Sequence, residues 1–371
     1  MMIPISNINL TEREEMKKIA STSMIAVAAL LSACGGGGGG DSGAVPVPPV
    51  VVPPVVTPPV VDANPLQTTV AAATYAPNSV LSSAYNTLNG ARQAYGVGLL
   101  AQNAKLDQSA ANHAAYVSAR WGAQDFANVG HLEDASKSGF TGVNPSDRIA
   151  YAGYTAATTG EVLTTFISVD GVQSDPGVVA VNGLMSGPYH RFSLLDSSKE
   201  IGIADASAVF VGEGGKNHTV VLNSAVAFSD KSQLPNASWV GVWPLDQAKD
   251  VMYGFAGESP NPIPANGGAC AGYPASIQIR NGLVLGTTSF TMVETAGNVP
   301  VSVQLSTASS DVNPSQARTN SAYIIPFKPL KLATQYTVRF VGTSGTNAID
   351  KTWSFTTGNI NTKLIYGCNP S

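Results

Sequence analysis

Four histidines are spread over 371 residues, and their neighbourhoods differ enough to ask which of them could do chemistry. An imidazole ligates metals and carries protons near neutral pH. His190 sits in SGPYHRFSLLD, beside Arg191, after a Gly-Pro break and ahead of the β-rich run IGIADASAVFVG. Read locally, it caps the preceding helix or donates to a carbonyl in the turn. His131, in GHLED, reads by itself as a loop histidine. His113 lies within a residue of an apolar helical stripe, the setting of a hydrogen-bonded core histidine. His218 opens a strand after a turn and reads as exposed. Arg148 and Arg191 have Asp147 and Asp196 as local ion-pair candidates. No GxSxG elbow, HExxH or cysteine nucleophile accompanies them. The string GDSG at 40–43 lies in a Gly/Pro-rich tract with no packed base nearby and carries no chemistry.

These side chains need a scaffold, and periodicity supplies one. NSVLSSAYNTLNGARQAYG (78–96), with Leu81, Ala84, Leu88, Ala91 and Tyr95 in step, is an amphipathic helix started by Asn78 or Ser79. Residues 103–122 repeat the pattern through Leu106, Ala110, Ala114 and Val117. A short helix over 144–154 is capped by Ser146 or Asp147 and closes near Gly153; another covers 175–185. EIGIADASAVFVGE and HTVVLNSAVAF, joined by Gly214-Gly215, read as a hairpin. Helices followed by an antiparallel hairpin indicate an α+β layered domain.

The N-terminus concerns the compartment. MKKIASTSMIAVAALLSAC (16–34) has two lysines, an apolar stretch too short to span a bilayer, and small residues before Cys34. Leu31-Ser32-Ala33-Cys34 resembles the lipobox of bacterial lipoproteins. That resemblance implies cleavage before Cys34, acylation of it and, with Gly35 next, residence at the outer membrane. Six glycines and a Val-Pro run make 35–65 a tether. The remaining cysteines, Cys270 and Cys368, read as one disulfide in an exported protein, against the alternative of two free thiols. Charged residues are 12% and the net charge is −4, so no basic face exists for nucleic acid.

Linked segments identify the middle domain. LNGARQAYGVGLLAQNAKLDQSAANHAAYV, GHLED, FTGVNPSDRIAYAGY, Gly160-Glu161 and MSGPYHRFSLLDSSKEIGIA resemble, in order and spacing, the bacterial branch of the CAP superfamily of cysteine-rich secretory proteins, antigen 5 and pathogenesis-related 1. The resemblance covers roughly 150 residues. It implies an α-β-α sandwich with a cleft of two histidines and acidic residues that in several members hold a divalent metal. By motif, His131 and His190 are the histidines and Glu161 the first acid, with Arg191 beside them. Two neutral imidazoles and a carboxylate suit zinc, with positions open to water. This chain departs from the pattern. Val162 replaces the usual asparagine, Leu184 stands where a tryptophan is expected, and only Asp170 and Asp175 are available as a second acid between Glu161 and His190.

From Ser276 the chain alternates with Gly and Pro turns, and PLKLATQYTVRFVGT with KTWSFTTG resembles bacterial Ig-like domains. Trp353 and Phe355 are expected to face the core. The expected organisation is 1–34 signal peptide with lipobox, 35–65 tether, 66–237 CAP domain, 238–267 linker strap ending in a hinge, and 268–371 Ig-like β-sandwich serving as spacer or adhesion module. Three functions follow in order of preference: a tethered protein binding a small lipid or peptide, with zinc or another divalent metal in the cleft; a surface adhesion or structural protein; and a metal-assisted envelope hydrolase with Glu161 as base.

Overall fold

The computed structural model describes residues 64–169, 175–210, 215–255, 257–266 and 270–359. The signal segment, Cys34, the tether up to residue 63, Asp170, Gly214 and Cys368 lie outside the described residues.

Helix α1 (Val80–Tyr95) starts at Ser79, whose hydroxyl accepts from the Ser82 N–H at 3.1 Å, and stops at Gly96 in the left-handed region at φ 82°. A short β1 (Ala101–Gln102) leads into α2 (Ala104–Gly122), capped by Asn103. Helix α3 (Pro145–Tyr151) is capped by Asn144, earlier than Ser146 or Asp147. Pro145 has the fixed φ of a first helical residue, and Asp147 instead accepts from the Asn144 N–H at 2.9 Å. Strand β2 (Ala156–Val169), α4 (Pro176–Ser186), α5 (Pro188–Leu194), β3 (Glu200–Phe210) and β4 (Gly215–Ala227) complete this half.

The sheet order is β1-β3-β4-β2, which leaves β2 at an edge. Side chains alternate across the sheet, and so do the helices they meet. Val221 and Ala204 pack with Ala110 and Ala114 of α2. Ile201, Ile203, Val220 and Leu222 pack with Leu88 of α1 and Val181 and Leu184 of α4. The expected α-β-α sandwich is therefore present.

The second half holds β5 (Val240–Trp243), β6 (Ala248–Val251), β7 (Gly254–Phe255), β8 (Ala271–Gly272), β9 (Ala275–Ile279), β10 (Leu285–Glu294), β11 (Val299–Pro300), β12 (Val303–Ser306), β13 (Ser321–Pro326), β14 (Gln335–Ser344) and β15 (Asn347–Thr357). Its two main sheets run β11-β10-β14-β15-β6 and β12-β13-β9-β5. Ile277 and Ile324 from one and Val338, Trp353 and Phe355 from the other share one core, so the half is a β-sandwich and Trp353 and Phe355 face inward as read.

The segment 238–267 differs from a strap with a hinge. It contributes β5 to one sheet and β6 to the other, because Val240 and Val242 alternate into the sandwich core and the ladder of β9 accepts them. Both halves belong to one compact unit, Val60–Ser371. Tyr189 and Phe192 of α5 sit in a shared apolar cluster with Phe255, Ile263, Tyr323 and Ile325.

Candidate functional site

Glu161 comes from the middle of β2, directly opposite Asn223 on β4. Its carboxylate is buried and saturated. Arg148 from α3 places Nη2 at 2.7 and 2.8 Å from the two oxygens, and His131 places Nδ1 at 2.9 Å from Oε1. Asn223, turned so that its amide nitrogen faces the acid, donates to Oε2 at 3.0 Å and accepts from Ser109 and Ala110. Burial pushes the Glu161 pKa up. The His131 hydrogen bond and the charges of His113 and Arg148 outweigh it and hold the carboxyl below its ordinary value.

A second carboxylate backs this pair. Glu133 is buried, with Oε1 at 2.9 Å from His113 Nδ1 and Oε2 accepting from the Thr141 N–H at 2.8 Å. His113 Nε2 lies 3.1 Å from the Gly130 carbonyl and 3.6 Å from Glu161. Both partners of the His113 ring nitrogens are acceptors. His113 is thus the hydrogen-bonded core histidine its stripe suggested, and it also holds the backbone immediately before His131.

His131 is 40% exposed at its side chain, so it is the member of this network that reaches solvent. A carboxylate only accepts, so the His131 Nδ1 carries the proton, and Nε2 has no protein partner among the described residues. His131 lines a cleft of about 560 Å³, and His190 lines the same cleft. The cleft straddles the edge strand. Its floor is Leu163, Thr164 and Thr165 of β2; one wall rises from the α2 side through Trp121, Phe126, Val129 and His131, the other through Leu184, His190 and Glu258.

The second wall holds the acid that the interval 161–190 does not supply. Asp175 is engaged as the cap of α4, accepting from the Gly177 N–H at 2.8 Å. Glu258 instead comes from the segment after β7. Its Oε2 lies 2.6 Å from His190 Nδ1, and its oxygens accept from the Tyr189 and His190 N–H groups at 3.0 and 3.1 Å. Gly187 leaves room for it, since a Cβ there would sit 2.4 Å from Glu258 Oε2. Flanking residues are clamped by the sandwich: Asn313 donates to the Asn261 carbonyl at 2.8 Å and Gln304 to the Pro262 carbonyl at 2.5 Å.

Three expectations are corrected by these positions. Arg191 is not in the cleft: it is fully buried and turned toward the sandwich, donating to Met185 O, Ser276 Oγ and Pro274 O at 2.7, 2.8 and 3.1 Å. Neither arginine uses the adjacent aspartate, because Arg148 reaches Glu161 and Asp196 pairs with Arg318 at 3.0 Å. His218 is buried, stacked on Phe166 and paired with Asp205 at 3.2 Å.

The donor set His131, Glu161 and His190 does not fit as a three-ligand metal site. Glu161 has both oxygens engaged by Arg148, His131 and Asn223, and among the described residues no group of three or more His, Cys, Asp or Glu is arranged to hold an ion. The same saturation leaves Glu161 without a free lone pair directed at a substrate, so it is poorly placed as a general base.

Residues 85–222 match the family described as CAP, the cysteine-rich secretory protein family, which supports a CAP domain over that segment. No curated protein matches the chain.

Proposed function

We propose that this is an exported lipoprotein of the outer membrane, anchored through Cys34 and tethered by 35–65, whose CAP cleft binds a small ligand, a peptide or a lipid. The C-terminal half is an Ig-like module stapled by a Cys270–Cys368 disulfide. The observation that carries the binding reading is the pair of carboxylate-backed imidazoles, His131 on Glu161 and His190 on Glu258, on opposite walls of one cleft. Backing fixes each ring and points the chemistry to the remaining nitrogen. The adhesion alternative gives no reason for that pairing. The hydrolase alternative lacks a free carboxylate at Glu161.

A divalent metal is a second reading, favoured by one feature: histidines that ligate metals pass their other nitrogen to a carboxylate, as both do here. Zinc titrated into the full chain by calorimetry is expected to give binding heat that His131→Ala/His190→Ala removes. Superimposable titrations for wild type and variant leave the cleft to a ligand held by hydrogen bonds alone. Anchoring is tested separately. The full chain is expected in the membrane fraction and its Cys34→Ser variant in the soluble one; a variant that still sediments with membranes places the anchor elsewhere.

A further inference from the structure

Strand β2 runs for 14 residues along a sheet edge. Long edge strands expose a row of unpaired N–H and C=O groups, and proteins protect them with lysine, proline, bulges or a covering segment. The sequence AATTGEVLTTFISV has no proline and no lysine, and its single charge, Glu161, is turned inward onto Arg148. Its one register shift lies near Ala156, away from the cleft. Among the described residues, no loop or turn makes a backbone hydrogen bond to the outer side of β2; the described bonds of its main chain run to β4. That bare edge is the floor of the cleft, at Leu163–Thr165.

The walls suit a strand laid along that floor. Successive side chains of an added strand point to opposite faces, one toward Trp121, Phe126 and Val129, the other toward His190 and Glu258. The first wall is mainly apolar and aromatic, with Phe126 half exposed and edge-on to Trp121 at 5.0 Å and His131 as its polar point; the second is mainly polar, with Leu184 beside His190 and Glu258. Two polar atoms of cleft residues, Trp121 Nε1 and Thr165 Oγ1, have no hydrogen-bond partner among the described residues. An acyl chain would leave the edge amides unpaired in a site it had dried, whereas a polypeptide pairs them.

From this we infer that the cleft takes an extended peptide segment, added as a fifth strand to the edge of β2, with alternating apolar and polar side chains. Main-chain bonds give the affinity and the two walls the sequence preference. The inference rests on the cleft being a ligand site and names the ligand.

The full chain is panned against a display library of linear heptapeptides, and recovered sequences are synthesised with both ends capped. Enriched peptides are expected to alternate apolar and polar residues. Methylating alternate backbone nitrogens in one register is expected to weaken them roughly tenfold or more, as loss of two or three main-chain bonds requires, and in the other register to do little. Phe126→Ala, at an exposed rim position, is expected to weaken the same peptides. Absence of enrichment overturns the inference. Peptides indifferent to methylation in both registers also overturn it while keeping the cleft as a ligand site, since they bind through side chains. A dimer in sedimentation that Thr164→Pro dissociates, with circular dichroism unchanged, overturns it too, because a second copy then occupies the edge.

Discussion

Replacing Arg148 with methionine is expected to lower the free energy of unfolding by about 3–5 kcal/mol, because it strands two buried carboxylates. Arg148 is fully buried, makes a forked contact to Glu161, lies 3.7 Å from Glu133 and donates to the Gly142 and Val143 carbonyls at 3.3 and 3.2 Å. Its loss therefore uncovers charge and loosens the loop that leads into α3. The double variant Arg148→Met/Glu161→Gln is expected to recover part of the loss, since removing both charges relieves the desolvation that breaking the pair exposes. Urea denaturation of the three proteins measures this, and a single variant within about 1 kcal/mol of wild type would mean the charges are not coupled as the distances indicate. The pH dependence follows with a definite sign. The Glu161 pKa is held below its ordinary value in the folded protein, so its contribution is fully present above the ordinary carboxyl range and disappears as pH falls through the folded pKa. Without Arg148 that depression shrinks, and the acid limb of the stability profile is expected at higher pH than in wild type.

The helices were readable because each carries its own apolar stripe and cap: Ser79 and Asp175 start α1 and α4 where composition suggested. Several elements escaped local reading, among them β5 and β6 in the segment read as a strap, and two others, α5 and β2, bear on the cleft. Helix α5 has only seven residues, too few for a stripe, and Pro188, taken as a break, is its first residue. Strand β2 carries its alternation in threonines and a glycine rather than in strong hydrophobes, so Glu161 was visible as a motif before it was visible as part of an edge. The pairing of His131 with Glu161 was expected only through family resemblance, since no spacing rule links residues 30 apart across a loop and a strand. Arg148 was assigned to the neighbouring Asp147 because sequence proximity is the sole local criterion; in the fold, Asp147 belongs to the cap of α3 and the guanidinium points to the sheet. Glu258 was beyond reach for a related reason. Its partner is 68 residues away, and only the sandwich, by clamping the segment around Asn261 and Pro262, brings it over α5. One available signal was Gly187, whose missing side chain makes space for that acid.

The same reasoning makes Arg191 the more informative arginine for the junction between the halves. Its guanidinium is buried with no carboxylate bonded to it; the compensation comes from three carbonyls, the Ser276 hydroxyl and the faces of Tyr273 and Trp243 at 5.4 and 6.0 Å. Burial lowers its pKa, opposed by the fields of Tyr273, Tyr95 and Glu258, yet an arginine remains the cation best able to stay charged there. Such an arrangement depends on the planar fork, because Nε and Nη2 reach the end of α4 at Met185 and Ser186 while Nη1 and Nη2 reach residues 274–276 of the sandwich. Arg191→Ala is expected to cost about 3 kcal/mol or more, since it deletes charge-assisted hydrogen bonds and leaves buried acceptors unpaired. Arg191→Lys is expected to recover less than half of that, because a single ammonium cannot serve both sides at once. The loss should also reach the cleft, as His190 precedes this anchor on the seven-residue α5. In hydrogen exchange, the Tyr189 and His190 amides, which donate to Glu258, are therefore expected to exchange faster in Arg191→Ala while α2 and β4 keep their protection. A lysine variant as stable as wild type would instead show that filling the junction matters and the geometry of the fork does not.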